Sequence, residues 1–164
     1  MDQLIADHAS RLSEGKLGTG QTTAEVRRSR VAFVDVERYQ WLYQRMWQAA
    51  LELNRNYFNV EIAGFTERIQ LARYDGSNQG FYTWHTDFAD IAPRRKLSIS
   101  VQLSRPEDYE GGDLELLFHE TPHKAERSRG SLTVFPSFVL HRVTPVTAGT
   151  RWSLVAWISG PRWR

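Results

Sequence analysis

The sequence predicts a mainly β fold of the α+β class, a jelly roll (double-stranded β-helix) braced by helices. After Tyr57 the chain consists of short alternating or β-branched runs that are separated by turns. No helical crossover lies between these runs, although a parallel sheet would require such crossovers. One long helical pattern precedes the runs, so we expect helices to brace one outer face of an antiparallel double sheet.

The amino-terminal part of the chain supplies the predicted helices. The pattern favours a short helix over residues 2–14, then a loop with three Gly and three Thr over 15–23, and a short strand over 31–34. Apolar residues then recur at spacings of three and four, which predicts a helix over 36–54 that lays one apolar stripe on a core.

Seven strands are predicted in the remainder of the chain. They cover residues 67–74, 81–84, 97–103, 114–118, 131–135, 139–146 and 151–158. The length of 164 residues favours a single domain, in which residues 1–60 form a helical support region and residues 61–164 form the jelly-roll core.

Composition excludes several classes of protein. No stretch approaches eighteen apolar residues and the start resembles no signal peptide, so we expect a cytoplasmic protein without a membrane partner. The formal net charge of +2 gives no nucleic-acid footprint, and we interpret two clusters of cations as solvent-exposed faces: Arg27, Arg28 and Arg30, and Arg94, Arg95 and Lys96. With no Cys, any metal has to be held by His, Asp, Glu or water.

His85, Asp87 and His141 are the first metal candidates. His85 and Asp87 lie two residues apart at the end of a predicted strand, so both side chains project to the same side if the chain stays extended. His141 can add a third ligand from a distant strand. Two imidazoles and one carboxylate form the facial triad that is typical of non-haem Fe(II) oxygenases.

Three segments around these candidates resemble one known family, the Fe(II)- and 2-oxoglutarate-dependent dioxygenases of the prolyl 4-hydroxylase-like group. The segments are Ala72-Arg73-Tyr74-Asp75-Gly76 with Phe81 to Asp87, the run Leu97 to Ser104 followed by Tyr109-Glu110-Gly111-Gly112-Asp113-Leu114, and Gly130 to Trp157. They occur in the family's order and span residues 68–161.

The resemblance implies a role for each matching residue. His85, Asp87 and His141 would hold Fe(II), and Arg151 would bind the distal carboxylate of 2-oxoglutarate, as a bidentate guanidinium can. Cosubstrate contacts are also expected from residues that share the Arg151 strand face or match the family: Ser153, Tyr74 and Trp157.

The resemblance also implies an activity. We expect a hydroxylase that consumes 2-oxoglutarate and O2, releases succinate and CO2, and takes ascorbate as its reductant. The substrate would be of the prolyl or amino-acid type or another small molecule, a free compound or a peptide, contacted by Tyr82, Trp84 and Arg142 beside the ligands. The alternative is a non-enzymatic jelly-roll binding module or a 2-oxoglutarate sensor; the sequence gives no oligomeric state.

A rival motif lies at His119-Glu120-Thr121-Pro122-His123, which matches the H-E-x-x-H pattern of zinc metalloproteases. That pattern requires a helix to place both imidazoles on one face, whereas the preceding residues predict a strand and Pro122 would interrupt the helix. We therefore expect a solvent-exposed loop with no metal at His119 and His123. His8 is likewise predicted to be a surface residue.

Overall fold

The computed structural model describes residues 1–16, 24–88 and 92–163. In these residues two α-helices and thirteen strands occur, in the order α1 (Asp2–His8), β1 (Ser13–Glu14), β2 (Arg27–Arg28), β3 (Arg30–Phe33), α2 (Gln40–Leu53), β4 (Gly64–Phe65), β5 (Gln70–Asp75), β6 (Phe81–His85), β7 (Arg95–Gln102), β8 (Tyr109–Gly111), β9 (Leu114–Leu117), β10 (His123–Lys124), β11 (Leu132–Pro136), β12 (Leu140–Val143) and β13 (Val146–Ser159). Single helical turns lie at Ala9–Arg11, Asn54–Phe58, Gly76–Asn78 and Pro106–Asp108.

The strands form two sheets, which confirms the predicted jelly-roll class. The larger sheet has the order β1-β3-β5-β13-β7-β11, with β4 and β8 also pairing with β13, and the smaller sheet has the order β10-β9-β12-β6-β2. Each strand pairing among the described residues is antiparallel. The predicted strand bounds agree with the structure to within about three residues, except that β12 ends at Val143 and β13 begins at Val146. The short strands β4, β8 and β10 were not predicted.

Strand β13 separates the two faces of the larger sheet. Its even-numbered residues Leu154, Ala156 and Ile158 are buried with the apolar stripe of α2, which includes Met46 and Ala50. The odd-numbered residues therefore face the smaller sheet, because side chains alternate along a strand. The helices brace the outer face of the larger sheet as expected, and the site lies between the sheets.

Two predicted helices are shorter than the sequence suggests. The helix predicted over 2–14 ends at His8, because Ser13 and Glu14 pair with β3 instead. The helix predicted over 36–54 begins at Gln40, because residues 36–39 form a separate turn and the backbone of Tyr39 is not helical. The predicted loop 15–23 lies largely outside the described residues.

The predicted strand 139–146 is divided in the structure. Strand β12 ends at Val143 and β13 begins at Val146, since Pro145 has no N–H group to donate to a ladder. The predicted helical support region 1–60 also contains β1, β2 and β3, which extend both sheets, so helices make up only part of it. None of the helices in the described ranges has the length and apolar character that a membrane span needs.

The prediction of a surface position for His8 is wrong. Its side chain is 1% exposed, its Nδ1 lies 2.8 Å from the Leu4 carbonyl oxygen, and its ring packs beside Tyr39. The spacing of four residues from Leu4 places His8 on the buried face of α1.

Candidate active site

Neighbouring strands of the smaller sheet bring the three predicted metal ligands together. His141 of β12 is the register partner of His85 of β6, and Asp87 follows β6 by two residues. The Nε2 atoms of His85 and His141 lie 3.8 Å and 3.4 Å from the Asp87 carboxylate oxygens. In the described part of the chain, this is the one group of three His, Asp or Glu side chains at metal-binding spacing.

Both imidazoles are oriented by their own strands. The Nδ1 of His85 lies 2.8 Å from the Thr83 carbonyl oxygen, and the Nδ1 of His141 lies 2.9 Å from the Val139 carbonyl oxygen. A carbonyl only accepts hydrogen bonds, so each Nδ1 carries the proton and each Nε2 keeps its lone pair. This is the tautomer that a metal-ligating histidine needs.

The electrostatics of the triad favour a neutral His85 and an ionised Asp87. The pKa of His85 is lowered to about 4, mainly by burial and secondly by the neighbouring His141. Burial by itself would raise the pKa of Asp87, but the adjacent imidazoles and a 2.7 Å hydrogen bond from the Ser98 hydroxyl bring this pKa below its ordinary value. At neutral pH the triad therefore offers a metal ion an ionised carboxylate together with imidazole nitrogen, and this combination of ligands suits a divalent cation.

A cavity of about 50 Å³ lies beside the triad, between the two sheets. It has room for about three to five water molecules. Its wall includes all three predicted ligands, the four predicted cosubstrate residues and one predicted substrate residue: His85, Asp87, His141, Arg151, Ser153, Tyr74, Trp157 and Tyr82. Apolar side chains such as Ile99, Phe135 and Val155 complete it.

A β-bulge explains why Tyr82 shares this wall with His85. Tyr82 pairs with Val143 while His85 pairs with His141, so β6 has one residue more than β12 over this stretch. The extra residue turns Tyr82 to the same side as His85, and their rings stack at 3.5 Å between centroids. Simple alternation would have placed them on opposite faces.

Arg151 is a buried cation in the wall of the cavity. It is 3% exposed, its Nη1 donates a long 3.4 Å hydrogen bond to Ser153 Oγ, and its guanidinium lies 5.7 Å from the Tyr74 ring. None of the carboxylates in the described ranges forms an ion pair with it. Buried charges in proteins are normally paired, so this guanidinium is suited to an anionic ligand.

Trp157 presents a second polar group without a normal partner. Its indole N–H is fully buried and forms no hydrogen bond of normal geometry with the described residues, although it contributes to the lowered pKa of Asp87. The guanidinium of Arg95 lies 3.7 Å from the centre of the indole and is held by Glu67 through two hydrogen bonds of 2.7 and 2.5 Å. Trp157 is therefore fixed in place with a spare donor.

Two predicted substrate residues lie away from the cavity. The Arg142 guanidinium stacks on the Trp84 ring at 4.6 Å and donates a 2.7 Å hydrogen bond to Glu115. Neither Trp84 nor Arg142 contributes to the cavity wall. Each directly adjoins a residue that faces the cavity, and alternation turns it to the other face of the sheet.

The rival zinc motif is not helical. His119 and His123 are both exposed, and His123 lies in β10, which pairs with β9. The segment does not place the two imidazoles one helical turn apart, and the expected exposure of both side chains is confirmed. The prediction of a loop holds for His119 and is wrong for His123, which pairs with β9.

Sequence reasoning missed four polar residues in the cavity wall: Arg27, Gln70, Ser98 and Ser100. Ser98 supports Asp87 from β7, and Arg27 reaches the wall from the edge strand β2. Alternation within β7 places Ser98 on the inner face, but no local pattern shows that Asp87 lies opposite. The prediction of a solvent-exposed face is wrong for Arg27, which is half-buried and lines the cavity.

Comparison with known proteins places this site in context. Residues 69–159 match a family model described as the 2OG-Fe(II) oxygenase superfamily. A PKHD-type hydroxylase of Hyphomonas neptunium is 47% identical over 72 residues, which are 42% of this chain and 31% of the relative. A PKHD-type hydroxylase of a Synechococcus strain is 34% identical over 115 residues, which are 67% of this chain and 50% of the relative. The chain spans half or less of the length of these relatives.

Solved structures share the fold. A Pseudomonas putida prolyl-4-hydroxylase superposes with a TM-score of 0.77 at 23% identity, covering 98% of this chain and 83% of that one. A Trichoplax adhaerens prolyl hydroxylase, solved with a peptide fragment of hypoxia inducible factor, gives a TM-score of 0.82 at 22% identity, covering 96% and 76%.

Proposed function

Because this chain belongs to the 2OG-Fe(II) oxygenase superfamily, we propose that it is an Fe(II)- and 2-oxoglutarate-dependent hydroxylase of a prolyl or other amino-acid-type substrate, releasing succinate and CO2. The observation that carries the proposal is the buried Arg151, which shares one cavity with the triad of His85, Asp87 and His141 and has no acidic partner among the described residues. A metal site alone would not need such a cation, whereas a dicarboxylate cosubstrate does.

The triad fits Fe(II). Two Nε2 lone pairs and one ionised carboxylate would hold the ion from one side and leave adjacent positions open. When bound, the iron supplies the activation of O2 that couples decarboxylation of 2-oxoglutarate to oxidation of a C–H bond. Ser98 keeps the Asp87 carboxylate oriented through its 2.7 Å hydrogen bond.

Arg151 would bind the distal carboxylate of 2-oxoglutarate. Its guanidinium has N–H groups left for two parallel hydrogen bonds, and Ser153 is close enough to the same group to add a third. Tyr74, 3% exposed and beside Arg151, would contact the cosubstrate from the neighbouring strand β5. The spare N–H of Trp157 would donate to an oxygen at the metal end of the cavity.

The apolar part of the wall would exclude water from the reaction. Ile99, Phe135 and Val155 line the cavity beside the polar groups, and the enclosed space is small. A low-water site strengthens the Arg151 interaction and protects reactive species from side reactions.

The substrate class is supported by the names of the relatives and by Tyr82. The matched relatives are PKHD-type hydroxylases, and Tyr82 stacks on His85 at the cavity wall, where it would contact the substrate. Trp84 and Arg142 are left out of this proposal because they lie on the other face. The single domain over 1–164, ascorbate as the reductant and a cytoplasmic location stay predictions.

Succinate formation tests the proposal. Purified protein is incubated with Fe(II), 2-oxoglutarate, ascorbate and O2, with and without prolyl peptides, and peptides are scored for a mass gain of one oxygen atom. We expect succinate and hydroxylated peptide from the wild type and neither from His85→Ala. Tight 2-oxoglutarate binding with no succinate under any condition would instead favour the sensor or binding module.

A further inference from the structure

Arg27 lies at the edge of the cavity, next to the residue that covers His85. It is the register partner of Tyr82 across β2 and β6, and its guanidinium carbon lies 4.6 Å from the centre of the Tyr82 ring. Tyr82 in turn stacks on His85 at 3.5 Å. These two contacts place the guanidinium within about 8 Å of the His85 ring.

The Arg27 side chain is held in one orientation. Its Nε donates a 2.6 Å hydrogen bond to Ser29 Oγ, and its Nη1 donates a 3.1 Å hydrogen bond to the Lys16 carbonyl oxygen. Within the described residues, nothing accepts a hydrogen bond from Nη2. A stacked and hydrogen-bonded guanidinium loses little further entropy when it binds a ligand.

No acidic side chain neutralises Arg27 in the described part of the chain. Its hydrogen bonds go to a hydroxyl and a carbonyl, whereas Arg95, which stacks on Trp157, is paired with Glu67. In the loaded site the formal charges of Fe(II), Asp87, 2-oxoglutarate and Arg151 cancel. Arg27 therefore remains as an uncompensated positive charge in the cavity wall.

We propose that Arg27 determines substrate specificity by binding a carboxylate that the substrate carries close to the residue to be oxidised. This inference rests on the proposed function, and it narrows the substrate to an acidic peptide or an amino-acid derivative with a free carboxylate. Arg27 is a better candidate than Arg28, because Arg28 is exposed, stacks on Phe81 at 5.0 Å and does not line the cavity.

Arg27 and Arg151 would divide the recognition of two different anions. Arg151 is deeply buried in the cavity wall and suits the cosubstrate, whereas Arg27 is half-buried on an edge strand and suits a group that arrives from solvent. Loss of Arg27 should therefore weaken substrate binding and leave 2-oxoglutarate binding unchanged.

Matched peptides test this division. Four peptides share one sequence around a single proline: an amidated peptide with Glu on both sides, the same peptide with Gln, the same with Lys, and the Gln peptide with a free terminal carboxylate. Their dissociation constants are measured by tryptophan fluorescence with the Mn(II)- and 2-oxoglutarate-loaded protein under nitrogen. The Glu peptide and the free-carboxylate peptide distinguish a side-chain carboxylate from a terminal one.

We expect at least one acidic peptide to bind the wild type about 10- to 100-fold more tightly than the amidated Gln peptide, as a charge-assisted hydrogen bond would give. Arg27→Gln should remove this preference without changing the affinity for Mn(II) or 2-oxoglutarate, and Arg27→Glu should favour the Lys peptide. Arg27→Lys should keep part of the preference, and Arg28→Gln is the matched control that should keep nearly all of it.

Three results of the peptide titrations would overturn the inference: equal binding of all peptides to the wild type, no binding of any of them, or a preference that survives Arg27→Gln. Failure of the proposed function is distinguishable from these, because it would appear as absent 2-oxoglutarate binding or absent succinate formation in the wild type. An increased dissociation constant for 2-oxoglutarate in Arg27→Gln would assign Arg27 to the cosubstrate instead and would also overturn the inference.

Discussion

Replacing Arg151 by Leu tests the part of the site that distinguishes a 2-oxoglutarate enzyme from other metal-binding jelly rolls. The substitution removes a buried guanidinium whose one described hydrogen bond, to Ser153 at 3.4 Å, is long. It should not affect the three metal ligands, because Arg151 is not among them. A bound 2-oxoglutarate would then have a buried carboxylate without a counter-charge.

The magnitude follows from the burial. Breaking a buried, hydrogen-bonded charge pair costs about 2–5 kcal/mol. Arg151 is only 3% exposed, so water cannot replace it, and we expect about 3–5 kcal/mol, which is a loss of 2-oxoglutarate affinity of about a hundred-fold to a few thousand-fold. Arg151→Lys should fall between wild type and Leu, because it keeps the charge and loses the bidentate geometry.

Although Arg151→Leu should weaken 2-oxoglutarate binding, it should not lower the stability of the protein without cosubstrate. A buried cation that has no acidic partner in the described residues opposes folding, and apolar replacements of buried charges are often neutral or stabilising. We therefore expect the Tm of Arg151→Leu without 2-oxoglutarate to be equal to or a few degrees above that of the wild type, at roughly 2–4 °C per kcal/mol.

The assay is titration of 2-oxoglutarate into the Mn(II)-loaded proteins under nitrogen, together with thermal unfolding of each protein without cosubstrate. Equal affinities in wild type, Lys and Leu variants would remove 2-oxoglutarate from the account, even if metal binding is intact. A large fall in Tm for the Leu variant would show that Arg151 serves the fold instead.

Three further predictions concern the metal. His85→Ala should lower Mn(II) affinity sharply in equilibrium dialysis, because the site loses one of its three protein ligands, and undiminished affinity would refute the assignment. Ser98→Ala should lower Mn(II) affinity about 10- to 100-fold by removing the hydroxyl that orients Asp87, with Ser98→Thr as the variant that retains a hydroxyl. The double substitution of His119 and His123 by Ala should leave metal content and Tm nearly unchanged, since both side chains are exposed, and metal loss would revive the zinc alternative.

The positions of site residues can be predicted from the sequence where the local spacing of residues already determines which side chains share a face. The spacing of His85 and Asp87 predicts that they share one side, and the resemblance supports His141 as the third ligand, because spacing and motif are local properties of the chain. Arg151 and Ser153 share a face because β13 continues without interruption through them. The extent of α2 is less predictable, since the apolar stripe includes Tyr39, whose backbone is not helical.

The remaining features depend on contacts between distant segments. His8 lies on an apolar helix face that becomes buried only when Tyr39 packs on it, some thirty residues later. Arg27 resembles any exposed cation until β2 pairs with β6 and places it opposite Tyr82. No pattern within ten or fifteen residues encodes these pairings, so a reading of the chain alone assigns such side chains to the surface.

The bulge in β6 links the metal site to the proposed substrate site. One extra residue between Tyr82 and His85 turns both rings to the cavity, and the stacked pair then presents Tyr82 to Arg27 on the neighbouring strand. In a regular strand, Tyr82 would face outward and Arg27 would have no aromatic surface at the cavity on which to stack. The same backbone irregularity thus positions a metal ligand, an aromatic wall and the cation proposed to select the substrate, and this explains why three roles can be carried by two short, adjacent strands.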